Sequence, residues 1–76
     1  MNKEGALRVR NSIFHYQMTV TEHASEFGIK RGRITMLLLT RCGETVYCYN
    51  RGLELSEADT DTKMAVRILL AGEDGR

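Results

Sequence analysis

The sequence has 76 residues, 42% of them apolar and 28% charged, with two cysteines and a formal net charge of +1. A chain of this length buries only about 60% of its unfolded surface, which leaves room for one domain and one small core. Nothing in the composition suggests disorder, two cysteines are too few for a disulfide framework, and no apolar run approaches the ~18 residues that a membrane helix needs.

Residues 1–6 read as a loose start, and Met-Asn-Lys-Glu-Gly lacks the apolar stretch of a signal peptide, so a reducing, cytoplasmic setting is expected. Leu7 and Val9 alternate with Arg8 and Arg10 as a short strand or extended lead-in, and Asn11 and Ser12 offer a turn. From Ile13 to Glu22 the alternation is clear. Phe14, Tyr16, Met18 and Val20 fall on one face, and His15, Gln17, Thr19 and Thr21 on the other, the pattern of a half-buried strand.

Arg33 to Thr40 is apolar on both faces, with Ile34, Met36 and Leu38 on one and Leu37 and Leu39 on the other. A run of only eight residues, bounded by Gly32 and the Cys42-Gly43 turn, predicts a central strand rather than a helix. Arg41-Cys42-Gly43-Glu44 predicts a hairpin with Cys42 and Gly43 as its loop. That register sets Arg41 opposite Glu44, Leu39 opposite Val46, Leu38 opposite Tyr47, Leu37 opposite Cys48 and Met36 opposite Tyr49. The third strand covers Thr45 to Asn50, and Leu53 to Ser56 leads out of the sheet.

A helix follows. Ser56, Asp59 and Asp61 are candidate caps. Met64, Ala65, Ile68 and Leu69, with Ala71 at the end, make an apolar stripe at helical spacing. Gly72 is placed to stop the helix, and residues 73–76 are expected to fray. The expected architecture is α+β, a single domain over 1–76: a three-stranded antiparallel β-meander with one C-terminal helix on one face (β-β-β-α). One helix cannot cover both faces of the sheet. The N-terminal segment or a second copy of the chain is then the candidate cover, and a homodimer is one expectation.

Chemistry is sparse. His15, His23, Cys42 and Cys48 lack the close spacing of a structural zinc site, and Cys48 reads as a small buried hydrophobe. There is no nucleophile elbow, and Gly28 and Gly32 lack the Gly-Lys-Ser/Thr of a phosphate loop. No cofactor, metal or catalytic residue is assigned, and an enzyme is not expected. The charge is unevenly spread: residues 1–51 hold eight cations against four anions (+4), and residues 52–76 hold three against six (−3). Nucleic-acid binding through Lys30, Arg31, Arg33, Arg41 and Arg51, with Tyr47 and Tyr49 as stacking faces, remains an alternative, although the near-neutral total argues against it.

The stretch Ser25 to Arg33, Ser-Glu-Phe-Gly-Ile-Lys-Arg-Gly-Arg, concentrates backbone freedom and charge. Gly28 and Gly32 are free to take positive φ, and Phe27 and Ile29 are expected to pin the loop to the core. The cations would then project from a fixed frame, a candidate site for an acidic partner. Glu26, Lys30, Arg31, Arg33 and Arg51 are the candidate contact residues.

Ser25-Glu26-Phe27-Gly28-Ile29, Gly32-Arg33-Ile34 and Tyr49-Asn50-Arg51-Gly52 resemble a family of short uncharacterised proteins of Gram-positive bacteria, phages and mobile elements. Leu53 departs from that pattern, where an aromatic often follows the Arg-Gly pair. The resemblance brings no catalytic residues. It implies a small phage-type protein that binds a host protein, as an inhibitor of host defence of the anti-CRISPR kind or as an adaptor. A purely structural oligomer is the further alternative.

Overall fold

A computed structural model describes residues 1–74 as five strands and one helix: β1 (Asn2–Val9), β2 (Ser12–Val20), β3 (Ile34–Arg41), β4 (Glu44–Asn50), β5 (Leu53–Ser56) and α1 (Thr60–Asp74). Every neighbouring pair is antiparallel, in the order β1-β2-β3-β4-β5. The α+β class stands, but the three-stranded meander is corrected to a five-stranded one. The expected strands are β2, β3 and β4. The supposed loose start and the supposed exit from the sheet are its two edges.

Of β1 the pattern shows only its end, the short strand offered at Leu7 and Val9, because those two alone give its covered side an apolar signal. Lys3 and Gly5 hold the other positions on that side, opposite Met18 and Tyr16. Lys3 reaches the end of α1, where its Nζ donates to both carboxylate oxygens of Glu73 at 2.9 and 3.0 Å. Gly5 makes room for an aromatic ring, since a Cβ there would sit 2.8 Å from Tyr16 Oη. Of the expected frayed tail, Glu73 belongs to α1, and residues 75–76 lie outside the described residues.

The alternation read from β2 is present: Phe14, Met18 and Val20 are buried, with Tyr16 half-buried against the same core. β3 is subtler. Val20 pairs with Ile34 while Thr19 pairs with Met36, so Thr35 is passed over. This bulge turns Ile34 onto the side of Leu37 and Leu39, and all three are inaccessible to solvent.

The hairpin turns at Cys42 and Gly43, with φ of 54° and 77°, the positive-φ pair of a type I′ turn. Arg41 faces Glu44 as expected, but the register then slips by one. Thr40 pairs with Thr45 and Leu39 with Tyr47, so Val46 is the extra residue and the expected Leu39–Val46 pair does not form. Leu38 faces Cys48, Leu37 faces Tyr49 and Met36 faces Asn50. A slip of one flips side chains across the sheet. The tyrosines therefore join the covered side with Leu37 and Leu39, not Met36 and Leu38. Cys48 lies on the opposite side, where its Sγ is 3.4 Å from Glu54 Oε1. Partial burial and that carboxylate raise its thiol pKa.

Asp59 caps α1, accepting from Thr62 N–H at 3.0 Å and Thr62 Oγ1 at 2.7 Å. The helix runs through Gly72, the residue expected to end it. Its buried side is Thr62, Ala65, Leu69 and Leu70, whereas Met64 and Ile68 of the expected stripe are exposed. The rotation follows from the ties at the helix ends. Arg41 Nη1 holds Asp59 Oδ2 at 2.9 Å, and Ser12 Oγ donates to Asp61 Oδ2 at 2.8 Å. At the far end, Arg33 Nη1 donates to the Glu73 carbonyl at 3.0 Å.

The Arg41 guanidinium, followed by the Thr62 hydroxyl, holds the Asp59 carboxyl well below the usual aspartate range. A folded pKa below the unfolded one stabilises the protein above the unfolded value of about 3.9, and the gain fades as pH falls towards the folded pKa. Thermal melts between neutral and strongly acidic pH are expected to show an acid-dependent drop that Asp59→Asn flattens. An equal drop in the variant would remove Asp59 as the cause.

The other side of the sheet mixes Met36 and Leu38 with Glu4, His15, Gln17 and Thr40, and shallow open grooves run across it. The N-terminal segment does not cover that side, because it extends the sheet beside β2. With Ile34 and both tyrosines turned the other way, its apolar surplus is smaller than the residue pattern alone implies.

Candidate partner-binding surface

The loop from Thr21 to Arg33 links β2 to β3 and is held by its own backbone. Ser25 N–H donates to the Gly32 carbonyl (2.9 Å), Gly28 N–H to Ser25 (3.0 Å), Arg31 N–H to Gly28 (2.9 Å) and Gly32 N–H to Ile29 (3.0 Å). The glycines serve differently from the expectation. Gly28 and Gly32 have extended φ of −77° and −96°, and positive φ falls on Lys30 (53°) and Arg31 (57°). Glycine is required at 28 by close approach: a Cβ there would lie 2.1 Å from the Gly32 carbonyl oxygen.

Ile29 carries the anchoring, at 6% exposure, while Phe27 is 46% exposed. The expectation that Phe27 enters the core is corrected: it stands at the surface. The Arg51 guanidinium carbon lies 5.2 Å from the centre of its ring, and Tyr49 Oη donates to its carbonyl at 2.9 Å. Arg51 is itself in the left-handed region (φ 58°) at the β4–β5 turn, and its N–H donates to the Thr35 carbonyl at 2.9 Å. Leu53, paired with Tyr49, adds a 61% exposed apolar side chain on the same side of the sheet.

The structure brings four of the five candidate residues to this corner. Glu26 and Arg31 line one shallow open depression with Ala24, Ser25 and Phe27. Lys30 is exposed on the adjoining turn, and Arg51 stacks on Phe27. Arg33 is diverted. Its Nε donates to the Thr21 carbonyl at 2.9 Å and its Nη1 to the Glu73 carbonyl, so it fastens the loop to the negative end of the helix dipole. Arg31 and Arg51 enter no ion pair among the described residues, whereas Lys3, Arg10 and Arg41 each have an acidic partner.

The sequence marks Phe27 only as a core anchor and Tyr49 only as a stacking face for nucleic acid, and Leu53 not at all as part of this surface; the three come to one surface only when β4 and β5 lie beside the loop. Of the cations offered for nucleic acid, Lys30, Arg31 and Arg51 share this corner, whereas Arg33 is bonded to backbone carbonyls and Arg41 to Asp59, and Tyr47 is 7% exposed. Among the described residues no group of three His, Cys, Asp or Glu side chains is placed to hold a metal ion, and no helix is long and apolar enough to cross a membrane.

The family described as Domain of unknown function (DUF7678) matches residues 1–74. No curated protein and no solved structure matches the chain.

Proposed function

The chain belongs to this uncharacterised family, and on that premise we propose that it is a small protein-binding module acting through the Phe27–Arg51 corner. The observation that supports this most is the exposed stack of Arg51 on Phe27, held by Tyr49 and flanked by Arg31 and Leu53. Aromatic and arginine side chains dominate binding energy at protein interfaces. Here they are fixed before any partner arrives, which lowers the ordering cost of association. The sequence resemblance adds the context in which we place it, a phage or mobile-element protein that inhibits or recruits a host protein.

Affinity capture from host lysate, with the wild type and the double variant Arg31→Glu/Arg51→Glu, tests the reading. The variant is expected to lose the captured protein, with its binding weakened by about tenfold or more. Equal capture by a folded double variant would overturn it. A salt series on the captured species separates nucleic acid from protein, because phosphate contacts weaken steeply and linearly in log salt.

A further inference from the structure

The two edges of the sheet are unlike. β1 carries Lys3, Glu4 and Arg8, and Lys3 is bound to the end of α1. Charges on an edge and a covering element are how sheets prevent further strands from adding. β5 reads Leu-Glu-Leu-Ser, has Glu54 as its one charge, and all four of its residues are exposed.

Its backbone is presented to match. Glu57 N–H donates to the Val46 carbonyl at 2.8 Å, and the pairs Tyr47–Ser56 and Cys48–Leu55 continue that register. Antiparallel pairs alternate between bonded and non-bonded. With Glu57–Val46 bonded, Ser56 is non-bonded, and its N–H and C=O point away from β4. Leu53 shares the side of Tyr49, Phe27 and Arg51, and Leu55 shares the side of Cys48.

Resting on the binding reading above, we infer that β5 accepts an extended segment of the partner protein as a sixth strand. The added main chain bonds to Ser56, and alternate side chains pass over the Phe27–Arg51 corner. Those side chains are acidic, because Arg31 and Arg51 lack acidic partners among the described residues. The side chains between them lie over Leu55 beside Glu54 and are apolar or basic. Main-chain bonds supply affinity in such additions, and alternate side chains supply specificity.

The test pans a library of short linear displayed peptides against the immobilised full chain. Sequences with Asp or Glu at every second position are expected to be enriched, and no enrichment, or none with that alternation, would overturn the inference. Ser56→Pro removes an outward N–H and no bond to β4, so it is expected to fold and to weaken the enriched peptide by about tenfold. Full binding by Ser56→Pro, with loss in Arg31→Glu/Arg51→Glu, would overturn strand addition and leave the binding corner standing. Full binding by both variants would overturn both readings.

Should the proline variant unfold, hydrogen exchange of the Ser56 amide in the wild type decides instead. It slows on adding the enriched peptide, and an unchanged rate overturns the inference. A wild-type dimer in sedimentation that Ser56→Pro abolishes would give the edge to a second copy and overturn the partner segment.

Discussion

Gly28→Ala is expected to unfasten the loop between β2 and β3 and to cost about 2–4 kcal/mol. The φ of −77° suits alanine well, so the penalty does not come from the dihedral. It comes from the Gly32 carbonyl oxygen and carbon, 2.1 and 2.8 Å from the new methyl. Both are backbone atoms, and no side-chain rotation relieves the contact. The chain must part there. That disturbs the four hydrogen bonds joining Ser25, Gly28, Ile29, Arg31 and Gly32, each contributing about 1 kcal/mol net. Ile29 would then lose its seat in the core, and Phe27 its position under Arg51. Urea denaturation measures the stability loss, and the captured partner reports the disturbed corner. Gly72→Ala is the control. Nothing lies within 4 Å of that position and it is inside α1, so alanine is expected to stabilise by about 0.5–1 kcal/mol. A Gly28→Ala variant as stable as the wild type would show that the glycine contact is not needed.

Phe14→Ala is expected to cost about 3–5 kcal/mol. The ring is inaccessible to solvent and stands in β2 between Leu7 of β1 and Arg41 of β3. Domains carry roughly 0.05–0.15 kcal/mol of stability per residue, so a chain of this length has about 4–11 kcal/mol in total. The substitution thus removes a large part of the stability, and partial unfolding at room temperature is the expected result. It also takes away the ring under the Arg41 guanidinium, 5.3 Å from its centre, and so loosens the group that holds Asp59. Ile13, the neighbouring residue, is 56% exposed, and Ile13→Ala is expected to change stability by no more than about 0.5 kcal/mol. The two variants side by side, followed by thermal and urea melts, test the two-residue alternation of β2. Similar losses for both would mean that the ring at 14 is not the centre of this core.

Much of the candidate corner is legible in the amino-acid order. Glu26, Lys30, Arg31 and Arg51 stand out because charge and glycine are dense there, and they do share one surface. Arg33 stands out for the same reason and is a fastener. A cation's partner is a long-range fact: the Glu73 carbonyl lies forty residues away. Phe27 and Ile29 look equivalent across Gly28, yet only Ile29 is buried, while Phe27 stands at the surface beneath Arg51.

The amino-acid order by itself determined the elements whose side chains carry their own period. These were the alternating β2, the doubly apolar β3, the Cys42–Gly43 turn and a helix opening beside acidic residues. The tertiary structure alone decided the edge strands, the register and the roll of the helix. Edge strands form by backbone bonding to a neighbour, which polar residues such as those of β1 do as readily as apolar ones. Register turned on the single extra residues Thr35 and Val46: the first sent Ile34 to the covered side, and the second shifted the rest of β4 by one and so exchanged the sides of its residues. The helix was turned by bonds at its two ends, between residues that the sequence keeps far apart.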